Sequence, residues 1–387
     1  MCDRLRRIEI RFSSMNTTRA GKIRVLYIVS RLQRHGPIFQ LYNLVRYLDR
    51  QRFCPRIITL SPEARGSLLT DFEKIDVECR SLGLSRVAGM ILGPGRVKKL
   101  LKERAVDLVH VFDYRSTLLC ASHVTGVPRV VTCRQSYRPI FGPVLGSIMT
   151  MTFLRACGKC ERVVAVSNSI RNLVENEVGR RIDVIHNGID VDRFRPVDQD
   201  RKRQLRSRLG LPPNKRIFLS VGFLTKAKGV PTLIEAFLKG ADRQSDVLVL
   251  LGDGPLREKC SRLTDGRDNI RMAGSVENVE DYLGAADVFV SASLTEGCPN
   301  AVMEAMACGL PVLLSDIPAH REILALDERA GLVFTTQDAA SLSAALAGSR
   351  DMNYSEQSSA ALGIVRNHLN ARSMSLKYQT LYAELCR

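Results

Sequence analysis

Short runs rich in Val, Ile and Leu alternate with helical patterns from one end of this 387-residue chain to the other. Such runs have no polar face, so each must be covered on both sides, the condition of a strand inside a parallel sheet flanked by helices. In the first half they fall at 24–30, 56–60, 108–112, 129–132, 162–166 and 182–185. In the second half they fall at 217–221, 247–251, 270–273, 288–291, 311–314 and around 332–334. The α/β class follows, as two doubly wound, Rossmann-like domains. Between the two series lie His186-Asn187-Gly188-Ile189-Asp190 and Arg193-Phe194-Arg195-Pro196, where Asn-Gly demands a turn and Pro ends regular structure. The division expected is a disordered basic leader over 1–21, an N-terminal Rossmann-like domain over 22–190 and a C-terminal Rossmann-like domain over 191–368. A last helix over 369–387 is free to cross back to the first domain.

Composition narrows the class. With 45% apolar residues the chain can bury sizeable cores, and no run of about 18 uncharged apolar residues offers a membrane-spanning helix. The leader carries five arginines without a signal-peptide core, and Met15 is an alternative start. The eleven cysteines lie mostly in apolar surroundings without a disulfide spacing, which predicts a reducing, cytoplasmic compartment. Cys157 and Cys160 form one C-x-x-C with no second pair to complete a zinc site, so two buried thiols on one helix are expected. Residues 1–196 hold 34 Lys and Arg against 17 Asp and Glu, whereas residues 197–387 hold 23 of each. This one-sided charge serves solubility or an anionic partner, either a phosphorylated acceptor or the inner face of the cytoplasmic membrane. Nucleic acid is disfavoured, because no binding motif orders the basic residues and aromatics make up only 6%. The uncharged stretch 139–154 is too short to span a bilayer and is expected to be a core helix, with a lipid-facing lip as the alternative.

The segment with most chemistry is 293–311, SLTEGCPNAVMEAMACGLP. It leaves a strand, turns through Gly297-Cys298-Pro299 and enters a helix near Asn300. Backbone N–H groups around Asn300 and Ala301 should then face the cleft with the positive end of the helix dipole, ready for phosphate or sugar oxygens. Glu296 precedes that helix and Glu304 lies inside it, eight residues on. That separation does not suit a paired acid/base dyad. It does suit one carboxylate on a ribose diol and another on hexose hydroxyls. In the first domain, Gly36 opens a helix after the first strand and allows a diphosphate to approach.

The pattern of Glu296, seven intervening residues and Glu304, continued by Ala-Met-Ala-x-Gly-x-Pro-Val, resembles the donor motif of glycosyltransferase family 4. Val166-Ser167-Asn168, Asn187-Gly188-Ile189-Asp190, Val221-Gly222 through Lys228-Gly229, Gly252-Asp253-Gly254-Pro255, Ala286-Asp287-Val288 and Arg321-Glu322-Ile323 follow in the family's order. The resemblance implies a GT-B fold and retaining transfer from a nucleoside diphosphate sugar, without a metal or other cofactor. By it, Glu304 holds the ribose, Glu296 the transferred hexose and Lys228 the leaving diphosphate. Gly252, Gly254 and Val276 line the donor pocket. Two departures stand out: Phe223 replaces an Arg that many relatives pair with the Lys, leaving Lys226 or a first-domain residue to compensate. Arg134 replaces a His close to the reacting sugar. A guanidinium cannot act as a base there but can clamp a phosphate or carboxylate. His110 also follows the pattern, although a strand-end His is more often a satisfied structural group.

The reading is a transferase moving a hexosyl unit to a hydroxyl of a glycan or lipid-linked glycan in surface polysaccharide (such as lipopolysaccharide) synthesis. The alternatives are a GT-B sugar-nucleotide epimerase and a non-catalytic glycan-binding or scaffold subunit with a degenerate donor site.

Overall fold

A computed structural model describes residues 21–85, 88–89, 92–103, 105–135 and 142–387. The basic leader, apart from its last residue, lies outside them. The first seven strands are β1 (Ile23–Val29), β2 (Phe53–Thr59), β3 (Glu78–Ser81), β4 (Leu108–Val111), β5 (Arg129–Cys133), β6 (Arg162–Ala165) and β7 (Asp183–Val184). They form one sheet in the order β3-β2-β1-β4-β5-β6-β7, with every neighbouring pair parallel. The next six are β8 (Arg216–Val221), β9 (Asp246–Leu251), β10 (Ile270–Gly274), β11 (Val288–Ser291), β12 (Val312–Ser315) and β13 (Gly331–Phe334). Their sheet runs β10-β9-β8-β11-β12-β13, again parallel throughout.

Strand β3 was not anticipated from the sequence. Its four residues, Glu-Cys-Arg-Ser, form an edge with no fully buried position, so no apolar run announces it. Strands β4 and β9, by contrast, are buried at every residue, which is why their composition is nearly all aliphatic. Strand order reverses between β1 and β4 and between β8 and β11. The crevices beyond the carboxyl ends of these pairs are where open parallel sheets bind ligands.

The chain passes between the sheets twice, and the two passages are bonded together. Ile189 N–H donates to the Leu369 carbonyl at 2.8 Å, and Ala371 N–H donates to the Ile189 carbonyl at 2.9 Å. Gly188 permits this crossing, since a Cβ there would lie 2.6 Å from the Ala371 Cα. The Gly188 amide and carbonyl are held by the side chains of Gln40 and Asn43 at 2.9 Å each. The last helix, Ala371–Leu385, starts at an Asn370 cap and returns to the first domain. Met374, Tyr378, Leu381 and Tyr382 bury themselves in the core built on β1 and on the helix Gly36–Arg46, and Leu376 on the opposite face is exposed. Each fully buried side chain of this size is worth about 1.5–3 kcal/mol, enough to make the returning helix part of the first domain.

His110 belongs to this packing. It is fully buried, with Nδ1 2.6 Å from the Tyr382 hydroxyl and Nε2 2.8 Å from the Thr132 hydroxyl. Burial drives its pKa well below the ordinary value, so the ring is neutral and structural.

Two expectations need correcting. The helix Pro143–Cys157 is core only at its C-terminal end, where Phe153, Leu154 and Cys157 are buried. Val144, Leu145, Ile148 and Met151 point outward, Val144 being 73% exposed. Cys160 is buried as expected but lies beyond that helix, and Cys157 instead has Cys133 as its sulfur neighbour, at 3.6 Å.

Candidate functional site

At the C-terminal end of β8 the chain enters a tight turn, Gly222 to Gly229, that ends in a single 3-10 turn at Lys226–Lys228. Gly229 adopts a left-handed φ of 61°, and a Cβ on it would strike the Ala292 carbonyl, so this loop is pressed against the exit of β11. The close packing brings Lys228 to Glu296, with Nζ to Oε1 at 2.5 Å. Glu296 Oε1 also accepts from the Ser293 hydroxyl at 2.8 Å. Behind them the Ser315 hydroxyl donates to the Ser293 carbonyl at 2.6 Å. His320, buried and with its pKa lowered by that burial, packs against Ser291 and Ser315. The family resemblance assigns Lys228 and Glu296 to separate parts of a ligand; in the protein they form one ion pair, and Lys228 lines a small cavity with Gly222, Leu251, Ser291 and Ser293.

Glu304 stands apart from this pair. It lies in the helix Asn300–Ala307, whose other face, Val302, Met303 and Met306, is buried in the second core. Its carboxyl has no hydrogen-bond or ion-pair partner among the described residues. Burial pushes its pKa up to about 7; Arg193 opposes the rise and Glu280 adds to it. Arg193 itself pairs with Glu280 at 2.8 Å and lies over the rings of Phe39 and Phe194.

The other positions singled out in the sequence divide into two groups. Gly36, Arg134, Gly297 and Asn300 meet at the seam between the domains. A Cβ on Gly36 would sit 2.9 Å from Asn300 Nδ2, and one on Gly297 would sit 1.7 Å from the Arg134 carbonyl oxygen. The Asn187 side chain spans the same seam, donating to Asn300 Oδ1 at 2.7 Å and accepting from Arg134 Nη1 at 3.2 Å. Ala301 follows Asn300 in the first turn of that helix. The second group is Gly252, Gly254 and Val276. A Cβ on Gly252 would strike the Gly222 carbonyl, and one on Gly254 the Leu224 backbone, so these glycines let two loops of the second domain nest. Val276 packs, partly buried, against the second core. Phe223 projects into solvent, 60% exposed, and the Lys226 side chain is exposed beside it.

Glu322 was missed as a site residue although its motif was noticed. It reaches from the helix Pro318–Leu324 into the first domain. There it accepts from the Asn168 backbone N–H at 2.9 Å and side-chain amide at 2.7 Å, and meets His186 Nε2 at 2.6 Å. Burial alone would raise its pKa, but the bonds from His186 and Asn168 outweigh it and hold the carboxyl below its ordinary value. Its signal in the sequence was only the triplet Arg321-Glu322-Ile323, which says nothing of a partner some 150 residues away. Among the described residues no cluster of His, Cys, Asp and Glu is placed to hold a metal ion.

Comparison with known proteins agrees with this architecture. Residues 39–193 match the family described as Glycosyltransferase Family 4, and residues 215–348 match Glycosyl transferases group 1. The chain is 34% identical over 228 residues to the putative teichuronic acid biosynthesis glycosyltransferase TuaC of Bacillus subtilis, covering 57% of this chain and 56% of that protein. It is 28% identical over 263 residues to the UDP-Gal:alpha-D-GlcNAc-diphosphoundecaprenol alpha-1,3-galactosyltransferase of Escherichia coli, covering 62% and 64%. The aligned regions thus span a little over half the length of these relatives. Among solved structures, Anabaena HepE in complex with UDP and glucose shares the fold with a TM-score of 0.78 at 18% identity, over 94% of this chain and 100% of that one. The lipopolysaccharide glycosyltransferase WaaG does so with a TM-score of 0.74 at 16% identity, over 92% and 99%. The chain belongs to the family 4 glycosyltransferases of GT-B fold.

Two outcomes follow from the seam and the half-buried Glu304 carboxyl. Gly297→Ala places a methyl group against a backbone oxygen of the other domain, which no side-chain rotation relieves. An overpacking cost of about 1–3 kcal/mol is expected to fall on the closed arrangement. Small-angle scattering should show a larger radius of gyration with each domain still folded, and an unchanged radius would show that the seam tolerates the methyl. For Glu304, a carboxyl whose pKa is higher folded than unfolded contributes stability at low pH and loses it as pH rises from about 4.5 through about 7. Glu304→Gln should therefore match the wild type near pH 4.5 and exceed it in thermal stability at pH 8; equal stability at both ends would place an unseen cation at the carboxylate.

Proposed function

We propose that the chain is a retaining glycosyltransferase that moves a hexosyl unit from a nucleoside diphosphate sugar to a hydroxyl of a glycan or lipid-linked glycan in surface polysaccharide assembly. The observation that carries this reading is the Lys228–Glu296 pair at the switch point of the second sheet, next in the chain to the seam where Gly297 and Asn300 meet Arg134 and Gly36 of the first domain. The E. coli relative is named for a UDP-Gal donor and a diphosphoundecaprenol-linked acceptor, and HepE was solved with UDP and glucose. These names support a nucleotide-sugar donor here. The relatives are named as transferases, which weighs against the epimerase and the scaffold.

In this reading Glu304, ionised above its raised pKa, accepts the two hydroxyl protons of a ribose. Glu296 exchanges Lys228 for hexose hydroxyls as the donor enters, and the freed ammonium turns to the diphosphate. Negative charge grows on that diphosphate as the glycosidic bond breaks, so Lys228 and the amino end of the helix Asn300–Ala307 stabilise the transition state more than the ground state. With those groups in place the reaction runs without a metal, and departure and attack occur on one face of the sugar. Lys228→Met should lower kcat by roughly 10²-fold or more while changing donor affinity far less. Wild-type turnover should survive chelation by EDTA. A variant with unchanged kcat would move the role to another cation, and loss of turnover in EDTA would return it to a metal.

A peripheral position on an anionic membrane surface is part of the same reading. Among the described residues no helix is long and apolar enough to cross a membrane. The helix Pro143–Cys157 nevertheless turns Val144, Ile148 and Met151, spaced as one helical face, to the outside, with Arg155 and Lys159 following. Each cation near an anionic surface adds about 1 kcal/mol, so the cationic excess of the first half and this apolar face would act together. The full-length protein should co-sediment with anionic vesicles at low salt and be released as salt shortens the screening length. Ile148→Asp should weaken that binding. Equal behaviour on zwitterionic and anionic vesicles would return the charge to solubility or to the acceptor's phosphates.

A further inference from the structure

We infer that Arg134 is the docking point for an anionic group carried by the donor, a conclusion that rests on the transferase reading. Arg134 leaves the carboxyl end of β5, and its carbonyl meets Gly297 in the turn that carries Glu296. Its side chain therefore starts at the seam, beside the pair that would receive the donor.

The guanidinium differs from the paired cations around it. Lys228 is paired with Glu296, Arg193 with Glu280, Arg46 with Asp190 and Arg257 with Asp253. Arg134 has no carboxylate partner among the described residues. Nη1 donates to the neutral Asn187 amide oxygen at 3.2 Å, and the group lies 4.9 Å from the centre of the Phe112 ring. Nε is cut off from solvent and has no hydrogen-bond partner at all.

Burial is the largest influence on this group and lowers its pKa. The neighbours that oppose the shift are Tyr378, Cys298 and Cys133, none of them a carboxylate. The Cys298 thiol is itself pushed up to about 12 by burial, so it supplies no thiolate. His35, next to Gly36, is held neutral by burial and by Arg134, and adds no competing positive charge. A guanidinium does not surrender its proton, so a full positive charge stands here without its counter-charge. A positive charge partly withdrawn from water without a counter-charge carries a desolvation cost, and a group left in that condition calls for a partner that arrives from outside.

The chemistry that satisfies a planar guanidinium fork is a two-oxygen anion. A donor offers this from its diphosphate or from a carboxylate on the transferred sugar. Either approach is compatible with the placement of Asn187, which ties Arg134 to Asn300 at the first turn of the helix expected to face the phosphates.

The test compares full-length wild type, Arg134→Gln and Arg134→Lys by thermal shift and calorimetry. The probes are UDP, GDP and ADP, their glucose conjugates, and UDP-glucuronate. Glutamine keeps a donor for Asn187 and removes the charge, so the unliganded Gln variant should melt at or above the wild-type temperature. Its affinity should be about tenfold or more weaker, with Lys in between. A loss shared by the bare diphosphates identifies the diphosphate as the source, whereas a loss confined to UDP-glucuronate identifies a sugar carboxylate. Wild-type binding that the Gln variant reproduces with every probe overturns this inference alone. A lower melting temperature of the unliganded Gln variant together with unchanged affinity shows a structural guanidinium and overturns it too. Absence of any wild-type binding overturns the transferase reading and this inference with it.

Discussion

The double passage at Ile189 and Asn370 is the constraint on which the arrangement depends. One chain segment leaves the first domain and another returns to it, and the two are bonded in parallel within a few residues of Gly188. A helix contributed by the far end of the chain then completes the first core. Motion between the sheets would pivot about this point, because both chain connections between them pass through it. Gly188 is needed there for want of space rather than for an unusual backbone angle, since the Ala371 backbone and Met374 side chain occupy the volume a Cβ would take.

From that pivot the cleft is held by contacts of very different strength. Glu322 brings an ionised carboxylate to the amino end of the helix Asn168–Val178 and to His186, a charge-assisted arrangement that crosses the domains. The Gly297–Arg134 and Gly36–Asn300 approaches are steric, setting how far the cleft can close rather than how strongly. Between them lie the groups with unsettled electrostatics: a carboxyl near neutrality at Glu304, an internal ion pair at Lys228 and Glu296, and an unpaired guanidinium at Arg134. Burial raises the first, mutual neutralisation quiets the second, and desolvation leaves the third short of a counter-charge. All three are conditions that a ligand bearing hydroxyls and negative charge would relieve.

The fold was legible because parallel strands buried on both faces must be aliphatic and helices between them must be amphipathic, so a one-dimensional pattern carries the architecture. Twelve of the thirteen strands among the described residues announced themselves in this way, and the exception, Glu78–Ser81, is an edge strand with no buried row to give it away. The helix Pro143–Cys157 misled for the converse reason: apolar residues predict burial only if something covers them, and here Val144, Leu145, Ile148 and Met151 have no covering element among the described residues.

By itself the sequence determined the class of fold, the positions of the strands other than Glu78–Ser81, the family pattern from Val166 to Ile323 and the residue types offered to a ligand. Those are properties of local periodicity and of residues close together along the chain. Tertiary structure alone decided that Lys228 and Glu296 neutralise each other, that Glu322 reaches Asn168 and His186, that Gly252 and Gly254 serve loop packing, and that the cation at Arg134 has no carboxylate partner among the described residues. Pairing and desolvation depend on what lies within a few ångströms in space. A sequence names the charges; only the folded chain sets the distances between them and the water each one keeps.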